Sequence, residues 1–209
     1  MDLYLFDFDE TLYAYDMMRR LPALSRITGA SEYHLAKCWW ADGYESRAEA
    51  GAWRTAGEYL EKFADVTGYT LSLQQWCEAR QEASTAIPGS VDALRRASTL
   101  GTVSLFSNNP SPFVAALDSL APDVARIVGD NRVVSCDLGV RKPDPEASRR
   151  VLAHFDADPQ DVLFIDDSRE NVEAAASIGM HIHHFLTIRG VPQVDALHEA
   201  IDSFSRRPK

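Results

Sequence analysis

Two aspartates, Asp7 and Asp9, follow directly on the apolar run Leu3–Phe6, where a buried strand would end. Side chains repeat with period two along a strand, so both carboxylates leave the sheet on the same side unless the chain curls between them. Like charges this close repel each other. The pair therefore persists only if one carboxyl is protonated or a cation lies between or beside them. This stretch predicts a charged functional site.

Polar side chains also follow two later apolar runs, at 102–106 and 162–165. The residues at these two strand ends are Ser107, Asn108, Asp166 and Asp167, and Lys142 lies between them in the segment R-K-P-D-P. Open α/β sheets place their chemistry at strand ends, so we expect these side chains to meet the first acidic pair.

The residue types in this group indicate a metal and a phosphoryl group. Four carboxylates with no neighbouring histidine or cysteine favour a hard cation such as Mg²⁺. Lys142 can neutralise a phosphoryl oxygen, while Ser107 and the backbone amide of Asn108 donate hydrogen bonds to it. The sequence thus predicts a site for Mg²⁺ and a phosphate ester.

These residues resemble the motifs of the haloacid dehalogenase superfamily. In this sequence the motifs are Asp7-Phe8-Asp9-Glu10-Thr11, Ser107-Asn108, Lys142 and Asp166-Asp167. They occur in the order found in that family, and together they span most of the chain. The resemblance implies a Rossmann-like core, a helical cap inserted after the first motif, and bound Mg²⁺.

The resemblance also implies roles for the first acidic pair. Asp7 would be the nucleophile that forms an aspartyl-phosphate, and it would give one oxygen to Mg²⁺. Asp9 would protonate the leaving alkoxide and later activate water, with its backbone carbonyl on the metal. A halide leaves as a stable anion and needs no such donor, and dehalogenases of this superfamily lack the second aspartate. Asp9 therefore favours a phosphatase.

The remaining motif residues would bind the phosphoryl group and complete the metal site. By resemblance, Ser107, Asn108 and Lys142 hold the phosphoryl oxygens. Asp167 would bind Mg²⁺ directly and Asp166 through water. The phosphate-binding and metal-binding roles are both expectations that follow from the resemblance.

The spacing of apolar runs predicts the elements that position these groups. Short apolar runs alternate with helical patterns, which is typical of an α/β fold with a doubly wound parallel sheet. The predicted strands are 3–6, 102–106, 133–136, 162–165 and 181–185. A final helix is expected over 192–204.

About ninety residues separate the first two strands, too many for a simple crossover. We therefore predict an inserted all-helical cap domain at 14–86, and an α/β core formed by 1–13 and 87–209. The predicted cap helices are 16–27, 31–41, 45–66 and 71–84. Trp40, Asp42 and Tyr44 are the candidates to face the substrate.

Composition narrows the possible partners and compartment. The 209 residues are 45% hydrophobic and carry a formal net charge of −10, which argues against binding to nucleic acid or an anionic membrane. The three cysteines are far apart, and no basic leader or long apolar segment is visible. We expect a cytoplasmic protein that is a monomer or a homodimer.

The most favoured function is Mg²⁺-dependent hydrolysis of a small organic phosphate, of the sugar phosphate or nucleoside monophosphate class. A phosphomutase differs only in whether water or a second hydroxyl accepts the phosphoryl group, so the sequence leaves it open. A 2-haloacid dehalogenase and a phospho-accepting signalling domain without turnover are less favoured. In signalling receivers the lysine follows the acidic residues, whereas here it precedes the second pair.

Overall fold

A parallel five-stranded sheet, in the order β5-β4-β1-β6-β7, forms the centre of the computed structural model, which describes residues 1–208. The strands are β1 (Leu3–Phe6), β2 (Tyr13–Tyr15), β3 (Ser84–Ala86), β4 (Thr102–Ser107), β5 (Arg132–Val134), β6 (Val162–Asp166), β7 (His181–His184), β8 (Thr187–Ile188) and β9 (Val191–Pro192). β8 and β9 pair with each other in a separate two-stranded sheet.

Helices fill most of the connections between these strands. They are α1 (Met17–Thr28), α2 (Glu32–Leu35), α3 (Tyr44–Glu49), α4 (Ala56–Thr67), α5 (Leu73–Ala83), α6 (Pro88–Ser98), α7 (Ser111–Leu120), α8 (Pro122–Val128), α9 (Ser135–Leu138), α10 (Pro145–Phe155), α11 (Arg169–Ala176) and α12 (Val194–Ser205). A π-helical turn, Ala36–Ala41, continues α2, and a 3₁₀ turn, Pro159–Asp161, precedes β6. Within residues 1–208 no helix has the length and apolarity needed to cross a membrane.

Both faces of the sheet are covered, as a doubly wound fold requires. In β1, Tyr4 and Phe6 belong to one apolar core and Leu3 and Leu5 to the other. The first core includes side chains of α6, α7, α8 and α12, and the second includes side chains of α10 and α11. The predicted α/β class with a parallel sheet is confirmed.

The long connection between β1 and β4 is helical over most of its length, but strands form its two ends. β2 and β3 pair antiparallel, with Tyr15 opposite Ser84. The chain therefore enters and leaves the inserted helices through a two-stranded ribbon, and the prediction that 14–86 is wholly helical was wrong at these ends. We call residues 16–83, between the ribbon strands, the insertion.

The predicted single helix over 45–66 is two helices, α3 and α4. Gly51 has φ +82°, and a Cβ there would lie 2.6 Å from the carbonyl oxygen of Cys136, so only glycine fits this turn. Thr55 then starts α4 with a capping box, in which its hydroxyl accepts from the Glu58 N–H and the Glu58 carboxylate accepts from the Thr55 N–H.

The strand predicted over 133–136 ends two residues early, at Val134. The chain then turns into α9, where the Ser135 hydroxyl accepts a hydrogen bond from the Asn109 N–H. This turn directs the following segment, which includes Arg141 and Lys142, towards the carboxyl ends of the strands.

Aromatic rings form the core of the insertion, as predicted for its tryptophans. The Trp39 ring is fully buried and contacts the rings of Tyr44, Trp53, Tyr59 and Phe63. A small helical unit has few other large side chains to bury, so these contacts fix the positions of its helices.

Candidate active site

The carboxyl ends of β1, β4 and β6 bring the predicted residues together. Phe6 lies beside Leu105 in β4 and beside Ile165 in β6. The following residues on the three strands therefore emerge side by side, and the Asp7 N–H donates to the Ile165 carbonyl at 2.9 Å. Parallel register alone places these polar groups at one edge.

Lys142 lies in the middle of this edge and is almost completely buried. Its Nζ is 3.1 Å from Asp7 Oδ1 and 2.6 Å from Asp166 Oδ2, and it also donates to the Phe106 carbonyl. The side-chain amide of Asn108 bonds both the N–H and the C=O of Lys142, each at 2.9 Å. Asn108 therefore positions the lysine with its side chain, which leaves its backbone amide for the predicted contact with a phosphoryl group.

Three carboxylates are close enough to bind one metal ion. Asp7, Asp166 and Asp167 each offer one oxygen, and these atoms lie within 4.8 Å of one another. Asp166 is fully buried and is also bonded by the Asn171 side chain and the Ser168 N–H. We call Asp7, Lys142, Asp166 and Asp167 the acidic cluster.

The electrostatics of the acidic cluster fit a hard cation. Burial raises the pKa of Asp7 to about 8; Lys142 lowers this pKa, Asp166 raises it, and a hydrogen bond from Ser107 lowers it. Burial, together with the charge of Asp166, raises the pKa of Asp167 to about 6. One lysine does not neutralise three carboxylates, and an all-oxygen donor set is the one that Mg²⁺ prefers. The residues present therefore fit a bound Mg²⁺.

The Asp9 carboxylate is not a member of this cluster and has other partners. Arg80 Nη2 donates to Asp9 Oδ1 at 2.5 Å and to Oδ2 at 2.6 Å, and Asn109 Nδ2 donates to Oδ2 at 3.1 Å. The two aspartates of the first motif therefore have separate cations beside them, Lys142 for Asp7 and Arg80 for Asp9. Only the backbone carbonyl of Asp9 was expected on the metal, so this orientation leaves that expectation open.

Sequence reasoning missed Arg80 and left Asn109 out of the site. Asn109 joins Asp9 to Ser107, because its Nδ2 also donates to Ser107 Oγ at 3.0 Å. Its place directly after Ser107-Asn108 was the available signal. Arg80 lies in the last turn of α5, just before β3. Only the pairing of β2 with β3 brings it back over Asp9, and that pairing was not foreseen.

A cavity of about 300 Å³ separates the sheet edge from the insertion. Trp40 lines it, as expected for a residue that faces substrate. The other two candidates do not: Asp42 is exposed, and the Tyr44 ring stacks on Trp39 and Trp53. The charged residues in the cavity wall are Asp9, Glu45, Glu49, Arg80 and Arg141.

A second ion pair also joins the two sides of this cavity, but here the insertion supplies the acid and the sheet edge supplies the arginine. Glu49, in the insertion, lies 2.9 Å from Arg141 Nη2, in the segment before Lys142. Burial and the neighbouring Glu45 raise the pKa of Glu49 to about 7, although Arg141 lowers it. Each side thus contributes one acid and one arginine to these two ion pairs, since Arg80 of the insertion meets Asp9 of the sheet edge.

Comparison with known proteins bears on the family and on the fold. A model of the haloacid dehalogenase-like hydrolase family matches residues 1–179. A phosphoglycolate phosphatase of Salmonella choleraesuis is 32% identical over 108 residues, which cover 49% of this chain and 40% of that protein. Flavin mononucleotide hydrolase 1 of Arabidopsis thaliana is 50% identical over 46 residues, or 22% of this chain and 19% of the relative. The chain thus matches less than half the length of either relative.

A solved structure with a similar fold is a HAD family enzyme from Bacteroides thetaiotaomicron in complex with magnesium and inorganic phosphate. It superposes with a TM-score of 0.74 at 21% identity, over 89% of this chain and 94% of that chain. At this identity the likeness concerns the fold.

Proposed function

The chain belongs to the haloacid dehalogenase-like hydrolases, and from this membership we propose that it is a Mg²⁺-dependent phosphomonoesterase acting on a small organic phosphate. The observation that carries the proposal is the position of Asp7. Its carboxylate lies 3.1 Å from Lys142 Nζ and within reach of a cation held with Asp166 and Asp167. A nucleophile beside a cationic group, at the end of a buried strand, suits transfer of a phosphoryl group.

The chain's own residues divide the reaction into two steps. An Asp7 oxygen attacks phosphorus, so that a bond from this oxygen to phosphorus forms and the ester bond breaks, while Asp9 gives its proton to the leaving alkoxide. Asp9 then takes a proton from the water that attacks the aspartyl-phosphate, which releases phosphate and restores Asp7. Lys142 and Ser107 hold the oxygens of the phosphoryl group throughout.

Mg²⁺ would be held by Asp7, Asp166 and Asp167, together with the backbone carbonyl of Asp9. When bound, it supplies positive charge beside the phosphoryl oxygens. Asp167 is the half-buried member, whereas the Asp166 oxygens already accept hydrogen bonds from Lys142 and Asn171. This difference supports Asp167 as a direct ligand and Asp166 as one that acts through water.

In this proposal the segment 14–86, which contains the insertion and most of its two ribbon strands, acts as a cap that covers a core of 1–13 and 87–209. Its helices close the cavity over the sheet edge, and about 300 Å³ suits a small ester. Both relatives carry names of enzymes that act on organic phosphates, phosphoglycolate and flavin mononucleotide. We extend to this chain only the common class, a small phosphate monoester, with sugar phosphates and nucleoside monophosphates as the classes to screen first.

The test is release of inorganic phosphate from a panel of monoesters, with Mg²⁺ and after its removal by a chelator. We expect turnover that needs the metal and falls by at least about 10³-fold in Asp7→Asn, because the variant lacks the nucleophile. Asp65→Asn, an isosteric change on the exposed face of the insertion, is the matched control and should keep the wild-type rate.

Three outcomes would contradict the proposal in different ways. Turnover that survives in Asp7→Asn removes the aspartyl-phosphate. Halide released from 2-haloacids, with no phosphate released from any ester, indicates a dehalogenase. Transfer of the phosphoryl group to a second hydroxyl, detected by phosphorus NMR, indicates a mutase.

A further inference from the structure

The proposed chemistry uses the acidic cluster, Asp9 and Ser107 but gives no task to Arg80. This residue of α5 is only 5% exposed, and it lines the cavity. Its guanidinium stacks on the Tyr15 ring, 4.1 Å from the ring centre. Within the described residues its Nε is buried without a hydrogen-bond partner, so the group has unused hydrogen-bonding capacity. A buried cation of this kind needs an anion next to it.

In the structure that anion is the Asp9 carboxylate, which accepts from Arg80 Nη2 through both of its oxygens. The proposed role of Asp9 requires one of these oxygens to face the leaving oxygen of the ester. An aspartate held through both oxygens by the guanidinium is not free to do so. A substrate that supplies Arg80 with another anion would release Asp9 at the moment it is needed.

The position of Arg80 indicates which part of the substrate it meets. Lys142 contacts Asp7, the proposed nucleophile, and so lies where the phosphoryl group binds. Arg80 contacts Asp9, the proposed proton donor, and lies 3.4 Å from Asn109 Oδ1. It is therefore on the side of the leaving group.

The charges around the cavity favour a singly charged group. Three acids and two arginines line it, and Arg141 is 41% exposed and already paired with Glu49. Arg80 is thus the one buried cation in the described wall that a substrate anion can reach. A carboxylate on the substrate would take the place of the Asp9 carboxylate with the same charge and the same chemical group. A second phosphate would bring two charges against one guanidinium.

We propose that Arg80 is a specificity-determining residue that binds a carboxylate carried by the leaving group of the substrate. This inference rests on the proposed phosphatase function and narrows its substrate class to small phosphate monoesters of hydroxy acids. Binding the carboxylate moves the guanidinium off Asp9, so the freed Asp9 carboxylate can take up a proton from water and pass it to the leaving oxygen. The same contact therefore selects the substrate and prepares the proton donor.

The test compares two esters of equal shape, phosphoglycolate and its uncharged amide, phosphoglycolamide. We expect the wild type to show a higher kcat/KM for the acid. In Arg80→Gln this preference should fall by roughly 10- to 100-fold, since a hydrogen-bonded charge pair is lost for one ester only. Arg80→Lys keeps the charge without the planar fork and should retain part of the preference. Arg141→Gln removes a charge from the same cavity and should retain the preference in full.

Each result bears on a distinct claim. If Arg80→Gln slows both esters equally, Arg80 binds the phosphoryl group or only supports the fold, and this inference is overturned. If the wild type does not distinguish acid from amide, it is overturned without any variant, which covers the case of a variant that does not fold. If the wild type hydrolyses no ester of the wider panel, the proposed function fails first, and this inference fails with it.

Discussion

The acidic cluster at the sheet edge and the ion pairs that line the cavity are two walls of the candidate site, and they are built differently. At the sheet edge, Asp7 and Asp166 come from neighbouring parallel strands, and Lys142 between them is 2% exposed. On the insertion side, Glu49 and Arg80 come from separate helices, and their partners Arg141 and Asp9 are 41% and 26% exposed. The first wall is a buried cluster of charges that contact one another. The second is a set of ion pairs, each with one partly exposed member.

This difference suits the acidic cluster to the transfer of the phosphoryl group and the ion pairs to the selection of the leaving group. A buried cluster strengthens every charge interaction and holds its groups in fixed positions, as a phosphoryl-transfer site requires. Ion pairs near solvent can exchange partners at a lower cost in free energy. A wall that accepts different leaving groups needs this property. The predictions below test this contrast by removing one member of each wall.

The largest effect is expected for Lys142→Met. Removing the lysine leaves Asp7 and Asp166 buried without their cation, which should lower the free energy of unfolding by about 3–5 kcal/mol in the absence of metal. Added Mg²⁺ should restore part of this loss, because it supplies positive charge to the same carboxylates. Urea denaturation with and without Mg²⁺ measures both changes.

Arg80→Met is the matched comparison for Lys142→Met. It also removes a buried cation, but the carboxylate left behind, Asp9, is partly exposed and can be hydrated. We expect a smaller loss of stability than for Lys142→Met. An equal or larger loss would contradict the contrast between the two walls.

The contrast also explains how much of the site the sequence predicted. Asp7, Ser107 and Asp166 each follow a short apolar run, and parallel strands bring such positions to one edge whatever lies between them in the chain. Local sequence pattern was therefore sufficient to predict the parallel sheet and the meeting of the acidic residues at one edge of it.

The insertion wall depends on contacts that no local pattern records. Arg80 reaches Asp9 across 71 positions of sequence, and only through a ribbon whose strands are three residues long. The predicted helix over 45–66 ran through Gly51, whose turn depends on the carbonyl of Cys136 far along the chain. Tyr44 was chosen for its place beside a glycine, but it packs inside the insertion. These features arise only in the folded chain.

A smaller effect is expected from pH, through Glu49. Burial raises the pKa of this carboxyl from 4.5 to about 7 in the folded protein, so folding favours its protonated form. The resulting stability is fully present below the unfolded pKa and is lost as the pH rises through 7. Relative to Glu49→Gln, the wild type should lose up to about 3 kcal/mol between acidic and mildly alkaline pH.

Urea denaturation of both proteins across this pH range measures the difference. Arg141→Gln removes the charge that lowers the Glu49 pKa, so its loss of stability should extend to higher pH. Parallel pH profiles for the wild type and Glu49→Gln would show that burial does not raise the pKa of Glu49, and would contradict this prediction.

The smallest effect is expected at two adjacent tryptophans, which belong to different parts of the insertion. Trp40 lines the cavity, so Trp40→Phe should change KM by no more than about tenfold, with little change in stability, because it trims one apolar contact with the leaving group. Trp39 is fully buried, and its Nε1 donates to Glu45. Trp39→Phe should therefore lower the unfolding temperature and leave KM near the wild-type value. The reverse assignment of these two effects would mean that the insertion meets the substrate with a different face.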